Sequence, residues 1–150
     1  MNVSEIVALA LAEDIGPGDI TSQVSIPEEA RANGAIVAKA DGVLAGIAVA
    51  EECFRQVDER VRLEALLQDG EVFRAGAELA KVLGPARSLL AGERVALNFL
   101  QRLCGTATLT RAFVNRIKGT KARIVDTRKT TPGLRALEKL SLIHISEPTN

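Results

Sequence analysis

The stretch DTRKTTPGLR, Asp126 to Arg135, gathers Arg128, Lys129 and Arg135 with the hydroxyls of Thr127, Thr130 and Thr131. The chemistry such groups can do is anion binding. A guanidinium fork matches a planar carboxylate or phosphate, while a lysine ammonium acts as a mobile point charge. A helix N-terminus behind such a loop adds unpaired N–H groups and partial positive charge. A solvated basic loop has the same composition, so the residues alone leave both readings open. A second set, Arg94, Asn98 and Gln101, recurs at i, i+4 and i+7 and forms a polar helical stripe. Every surface helix carries such a face, so the stripe assigns no role by itself. Cys53 and Cys104 stand in no CxxC or metal-like spacing and are expected to be buried, reduced thiols.

The loop must be positioned by its neighbours. The apolar run Arg123 to Val125 is expected to be a buried strand leading into it. Pro132 suits the first position of a helix, with Thr131 as its N-cap. The loop then lies between the carboxyl end of a strand and the amino end of a helix, where α/β proteins bind ligands. Upstream, Ala96, Phe99, Leu100 and Leu103 fall at helical spacing, and Gly105 is expected to end that helix. A further helix is expected with Leu109, Ala112, Phe113 and Ile117 on one side, stopped by Gly119. At the start, Ser4 can cap a helix with Ile6, Leu9 and Ala10 on one face, and IGPGDIT breaks it. GAIVAKADG, VRLEALL and AELAKVLG read as strands around a helix over AVAEECFRQV, giving a small α+β domain. The turns at Asp69-Gly70 and Gly76 resemble those of biotinyl and lipoyl carrier domains. Lys39 is the only lysine a carrier could modify, and it precedes the turn.

The 150 residues are 47% hydrophobic with formal net charge +0, enough for a packed core and too balanced for a general polyanion binder. Only Phe supplies aromatic side chains, which argues against base stacking and nucleic acid. No segment reads as a signal peptide or membrane span, so a cytoplasmic protein is expected.

Four motifs in order, EDIGPGDIT, GVLAG, ERVALNFLQRLCGTAT and DTRKTTPGLRALEK, resemble the quinolinate phosphoribosyltransferase family over about residues 6–139. The resemblance implies an N-terminal α/β sandwich, residues 1–104, followed at 105–139 by the start of an incomplete TIM-like α/β barrel. It implies a pentosyltransferase of NAD biosynthesis. Phosphoribosyl pyrophosphate and quinolinate would give nicotinate mononucleotide, pyrophosphate and carbon dioxide, with Mg2+ whose ligands lie outside this chain. It assigns Arg128 and Lys129 to catalysis, and Arg94, Thr127, Arg128 and Lys129 to substrate binding. Arg94 would reach a partner's site in a homodimer. Cys104 stands where the family commonly has serine. A related phosphoribosyltransferase found with molybdate transport genes is the nearest alternative, and a non-enzymatic carrier-like module is the other. Residues 140–150, LSLIHISEPTN, resemble a translated sequencing adapter and are expected to be a non-native tail. It holds the only histidine, His144. The family's later glycine-rich His-Arg segment and its Lys, Glu and Asp do not occur, so the 150 residues by themselves are expected to be inactive.

Overall fold

The computed structural model describes residues 2–142. The chain opens with helix α1 (Val3–Ile15). Asn2, not Ser4, is its N-cap. The Asn2 side chain accepts from Glu5 N at 2.9 Å, and Glu5 returns the bond to Asn2 N at 2.7 Å. A reciprocal capping box satisfies two otherwise unpaired donors, which a Ser4 cap would not. Ser4 instead donates to Glu52 Oε1 at 2.8 Å. The shifted start turns Ile6, Val7 and Leu11 inward and leaves Leu9 exposed, contrary to the Ile6–Leu9–Ala10 face.

Helix α2 (Ile20–Ser25) follows the glycine break, capped by Asp19. Strands β1 (Arg31–Val37), β3 (Arg62–Ala65) and β5 (Glu78–Pro85) form an antiparallel sheet in the order β1-β5-β3. Ile36 pairs with Ala80 and Leu63 with Val82, so β5 is the middle strand. A two-residue ladder joins β2 (Gly42–Val43) to β4 (Val72–Phe73). Helix α3 (Ile47–Val57) covers AVAEECFRQV as expected. Its buried Val49, Ala50, Cys53 and Phe54 share a core with Val82, Val95, Ala96, Leu100 and Leu103.

Gly105 does not end a helix. Helix α4 runs unbroken from Ala86 to Arg116, 31 residues and about 46 Å at 1.5 Å per residue. An interior glycine costs only about 1 kcal/mol, and burial of Leu103 and Ala107 on either side outweighs it. Beyond this point Leu109 and Phe113 lie exposed rather than forming a packed stripe.

The expected strand Arg123–Val125 is also absent among the described residues. Val125 makes a single bridge and is exposed. Backbone in that run has no continuous ladder of the described sheets to join. The last element among the described residues, α5 (Arg135–Leu140), begins three residues after Pro132. Leu134 N donates to Thr131 O at 3.0 Å, and Gly133 has φ 81°. Proline followed by a positive-φ glycine is the composition of a type II turn, so Thr131-Pro132-Gly133-Leu134 turns before the helix can start. Thr131 therefore caps nothing, and Leu134 takes the N-cap place without a side-chain bond.

Candidate functional site

The basic loop is an exposed, braced turn. Thr127, Arg128 and Lys129 are all exposed, and Thr127 Oγ1 accepts from Lys129 N at 3.1 Å. The third cation turns inward to hold the loop. Arg135 donates from Nε to Thr130 Oγ1 at 3.1 Å and from Nη2 to the Arg128 carbonyl at 3.2 Å. Asp126, its side chain almost buried, pairs with Lys139 of α5 and fixes the loop's first residue. The side chains of Arg128 and Lys129 make no ion pair with another described residue, so their charge faces outward.

Arg102 on α4 fixes the far end. Its Nη2 donates to Thr131 Oγ1 at 3.2 Å and lies 3.5 Å from Glu138 Oε1. Glu138 Oε2 in turn accepts from Thr131 N at 3.3 Å. Hydrogen bonding from Thr131, and secondarily from Arg102, holds the Glu138 carboxyl below its ordinary range. Sequence reasoning gave Arg102, Asp126, Glu138 and Lys139 no part in the site. The available signal was spacing, since Arg102 is four residues after Asn98 on the same helix.

Arg94 sits apart from this loop, about 12 Å back along α4 from Arg102. Its partner is Asp14 of α1. Nη2 lies 2.9 Å from Asp14 Oδ2, and Nε donates to the same carboxylate at 3.0 and 3.2 Å. The four expected site residues thus divide into two groups. Thr127, Arg128 and Lys129 are together, and Arg94 is on the α1–α4 side.

Neither large cavity is lined by any of the four expected site residues. A groove of about 1030 Å³ runs between β1 and α4, lined by Ile36, Val82, Leu89, Leu97, Leu100 and Cys104 among others. None of the four site residues lines it. A cleft of about 820 Å³ between α1, α2 and α4 includes Asp19, Ser22 and Arg87. Arg87 is spent there on the carbonyls of Ile26 and Gln23, at 2.8 and 2.9 Å.

Burial disfavours the thiolate at both cysteines. Burial pushes Cys53 up to about 12, and burial also raises Cys104. Cys104 is only half-buried, contrary to expectation, and its sulfur lies against the Ala45 backbone, accepting from N at 3.4 Å. Among the described residues no three His, Cys, Asp or Glu side chains gather to hold a metal ion. The carboxylates beside the loop, Asp126 and Glu138, are committed to Lys139 and Arg102, so the groups present do not form a Mg2+ site. No described helix is long and apolar enough to cross a membrane.

A small antiparallel sheet backed by helices, running through one long helix into a braced basic loop, defines an α+β protein with an outward-facing cationic turn. Family models agree on which one. That for the quinolinate phosphoribosyl transferase N-terminal domain matches residues 19–104, and that for the C-terminal domain matches 106–144. The chain belongs to the quinolinate phosphoribosyl transferase family. The junction between the two matches falls inside α4, and the second match runs past Lys139 into the segment expected to be foreign. Residues 143–150, with His144, lie outside the described residues.

The chain is 48% identical over 130 residues to a probable nicotinate-nucleotide pyrophosphorylase (carboxylating) of Bacillus subtilis, covering 87% of this chain and 45% of that protein. It is 42% identical over 139 residues to a quinolinate phosphoribosyltransferase (decarboxylating) of Nicotiana tabacum, covering 92% and 39%. The NadC structure from Streptococcus pyogenes superposes with TM-score 0.93 at 34% identity, over 99% of this chain and 53% of that one. The nicotinate-nucleotide pyrophosphorylase from Ehrlichia chaffeensis gives 0.90 at 41%, over 100% and 55%. The chain therefore spans about half or less of the length of these relatives.

Proposed function

We propose that this chain carries the quinolinate-binding side of a phosphoribosyltransferase that joins quinolinate to the ribose of phosphoribosyl pyrophosphate and releases carbon dioxide. The observation that carries the reading is the outward, unpaired Arg128–Lys129 charge on a braced turn, in a chain of this family. Quinolinate is a planar dicarboxylate, and the donor carries phosphates. Arg128 offers a fork to one carboxylate and Lys129 a mobile charge to a second anionic group, with Thr127 Oγ1 steadying the Lys129 backbone.

Transfer at the ribose C1 expels pyrophosphate and develops oxocarbenium character, and loss of the 2-carboxylate as carbon dioxide leaves a carbanion beside a cationic ring nitrogen, which then takes a proton from solvent. Neither step needs a protein nucleophile. The work of the loop is to hold charge and orientation, the terms that dominate such reactions. Arg94 completes the acceptor site of a second copy in a homodimer, consistent with its place away from its own loop. Residues 105–139 begin a barrel domain, and any Mg2+ accompanying the pyrophosphate would be held by groups other than the described residues. The enzyme works in the cytoplasm.

The test is calorimetric titration of the chain with quinolinate and, separately, with nicotinate. Preference for the dicarboxylate, lost in an Arg128→Ala/Lys129→Ala variant, is expected. Absent or equal binding overturns the reading. For the whole reaction, the source DNA beyond the Lys139 codon is sequenced. The longest frame found is then assayed for carbon dioxide release from carboxyl-labelled quinolinate with phosphoribosyl pyrophosphate and Mg2+.

A further inference from the structure

The motif EDIGPGDIT contains an acid that local structure does not explain. Asp14 lies in the last turn of α1, where the helix dipole presents partial negative charge. No basic residue shares that turn. A carboxylate there opposes the helix unless something across the fold compensates. The compensating group is Arg94, 80 residues away, and the contact is specific in geometry. Asp14 takes the side edge of the guanidinium, reaching Nε at 3.0 and 3.2 Å and Nη2 at 2.9 Å. Nη1 makes no hydrogen bond or ion pair with a described residue, Asp19 and Glu93 attract the guanidinium only at longer range, and the Arg94 side chain is 51% exposed. A guanidinium has a second, end-on edge made by Nη1 and Nη2, and that edge stays open.

The chain on either side of Asp14 is built to hold it there. Gly16, at φ 52°, closes α1 with its N–H bonded to the Ala12 carbonyl at 3.2 Å. Asp19 then caps α2 through Ser22 N at 3.2 Å. Asp14 is thereby fixed between two capped helix ends, while Arg94 projects from the long α4.

We infer that Asp14 is a positioning residue: it grips Arg94 side-on so that the end-on edge of the guanidinium is presented, preset, to a carboxylate of the ligand. This rests on the proposed function for the identity of that ligand. The advantage is entropic. A free arginine must give up several rotamers on binding, and Asp14 has already removed them. The inference separates Asp14 from a competitor role, in which its carboxylate would occupy the fork and have to be displaced.

The experiment uses the 150-residue chain, uniformly 15N-labelled, with Asp14→Asn, Asp14→Glu and Arg94→Lys variants. Two readouts are taken: exchange of the Arg94 Nε–H with solvent, and affinity for quinolinate. The amide spectrum away from α1 and α4 reports that each variant folds. Expected are a protected Nε–H in the unsubstituted chain and faster exchange in Asp14→Asn. Quinolinate affinity should weaken roughly three- to tenfold, the scale of one freed long side chain. Asp14→Glu should recover part of both. Unchanged exchange in Asp14→Asn overturns the inference, and so does tighter quinolinate binding by that variant, which would make Asp14 a competitor. A protected Nε–H with no quinolinate binding by the unsubstituted chain overturns the proposed function and this inference with it. The intact exchange signature tells that case from failure of the inference alone.

Discussion

Arg102 Nη2 lies 3.2 Å from Thr131 Oγ1, and this contact joins the long helix to the basic loop. The same guanidinium is 3.5 Å from Glu138, which also accepts from Thr131 N. The Arg102 side chain is 58% exposed, so the pair adds little to global stability, on the order of 0–1 kcal/mol. Its effect is local. Arg102→Ala is expected to leave the urea midpoint nearly unchanged while speeding tryptic cleavage after Arg128 and Lys129 several-fold. Cleavage at unrelated exposed sites, such as after Lys39, serves as the internal reference. An unaltered cleavage rate at the loop would show that the turn and the Asp126–Lys139 pair hold it without help from α4.

Gly46 carries a different burden. It is the N-cap of α3 with φ 91°, and a Cβ built on it would lie 2.4 Å from Leu103 Cδ1. Both the backbone and the space demand glycine. In place of a side-chain cap of its own, α3 receives Asp69, whose carboxylate accepts from Gly46 N at 2.9 Å and Ile47 N at 3.1 Å. Gly46→Ala combines left-handed strain with overpacking and should cost about 2–5 kcal/mol in urea unfolding. Asp69→Ala loses only the cap and should cost about 1–2 kcal/mol. Reversal of that order would place the burden on the cap rather than on the close approach.

Acid should weaken the fold through Glu52. Hydrogen bonding from Arg55 first, and from Gln56 and Ser4, lowers this carboxyl from 4.5 to about 2, against a smaller opposing effect of burial. The unfolded chain therefore takes up the proton first as pH falls. The stabilisation is whole above pH 4.5 and is lost progressively toward pH 2. Glu52→Gln should flatten part of the loss of stability over that window and lower stability at pH 7. Asp58 is also held below its ordinary range, by Arg60 first and Ser88, so some acid sensitivity must survive the substitution. If the variant loses stability with the same pH slope as the parent, Glu52 is not coupled to folding.

Much of the α+β core could be read from pattern alone. AELAKVLG became the central strand and AVAEECFRQV a helix, because buried elements between glycines leave period and length as clear signals. The loop was legible as a cluster of cations, since composition is local. What could not be read was each cation's partner. Arg94 meets Asp14 and Arg102 meets Thr131 and Glu138 across distances in sequence that no periodicity encodes. Pro132 misled in another way. The same residue suits a helix start and the second position of a turn, and Gly133 after it decided for the turn.

Gly105 gives the sharpest test of how local preference yields to packing. Read locally, glycine ends the helix; in the fold it is an interior residue of α4 with nothing within 4 Å of an added Cβ. The helix survives because Leu103 and Ala107 are buried on the neighbouring positions, and it does so although Thr106, Thr108 and Thr110 bond back to the carbonyls of Arg102, Cys104 and Thr106, contacts that tend to bend a helix. An alanine here would keep every contact and lose only the unfolded-state freedom of glycine. Gly105→Ala is therefore expected to raise stability by about 0.5–1 kcal/mol, read as a higher urea midpoint with unchanged slope. A loss of stability instead would mean that α4 bends or breaks at Gly105 in solution, and that the two halves of the helix, which carry Arg94 and Arg102 on one side of the glycine and the run toward the basic loop on the other, move independently.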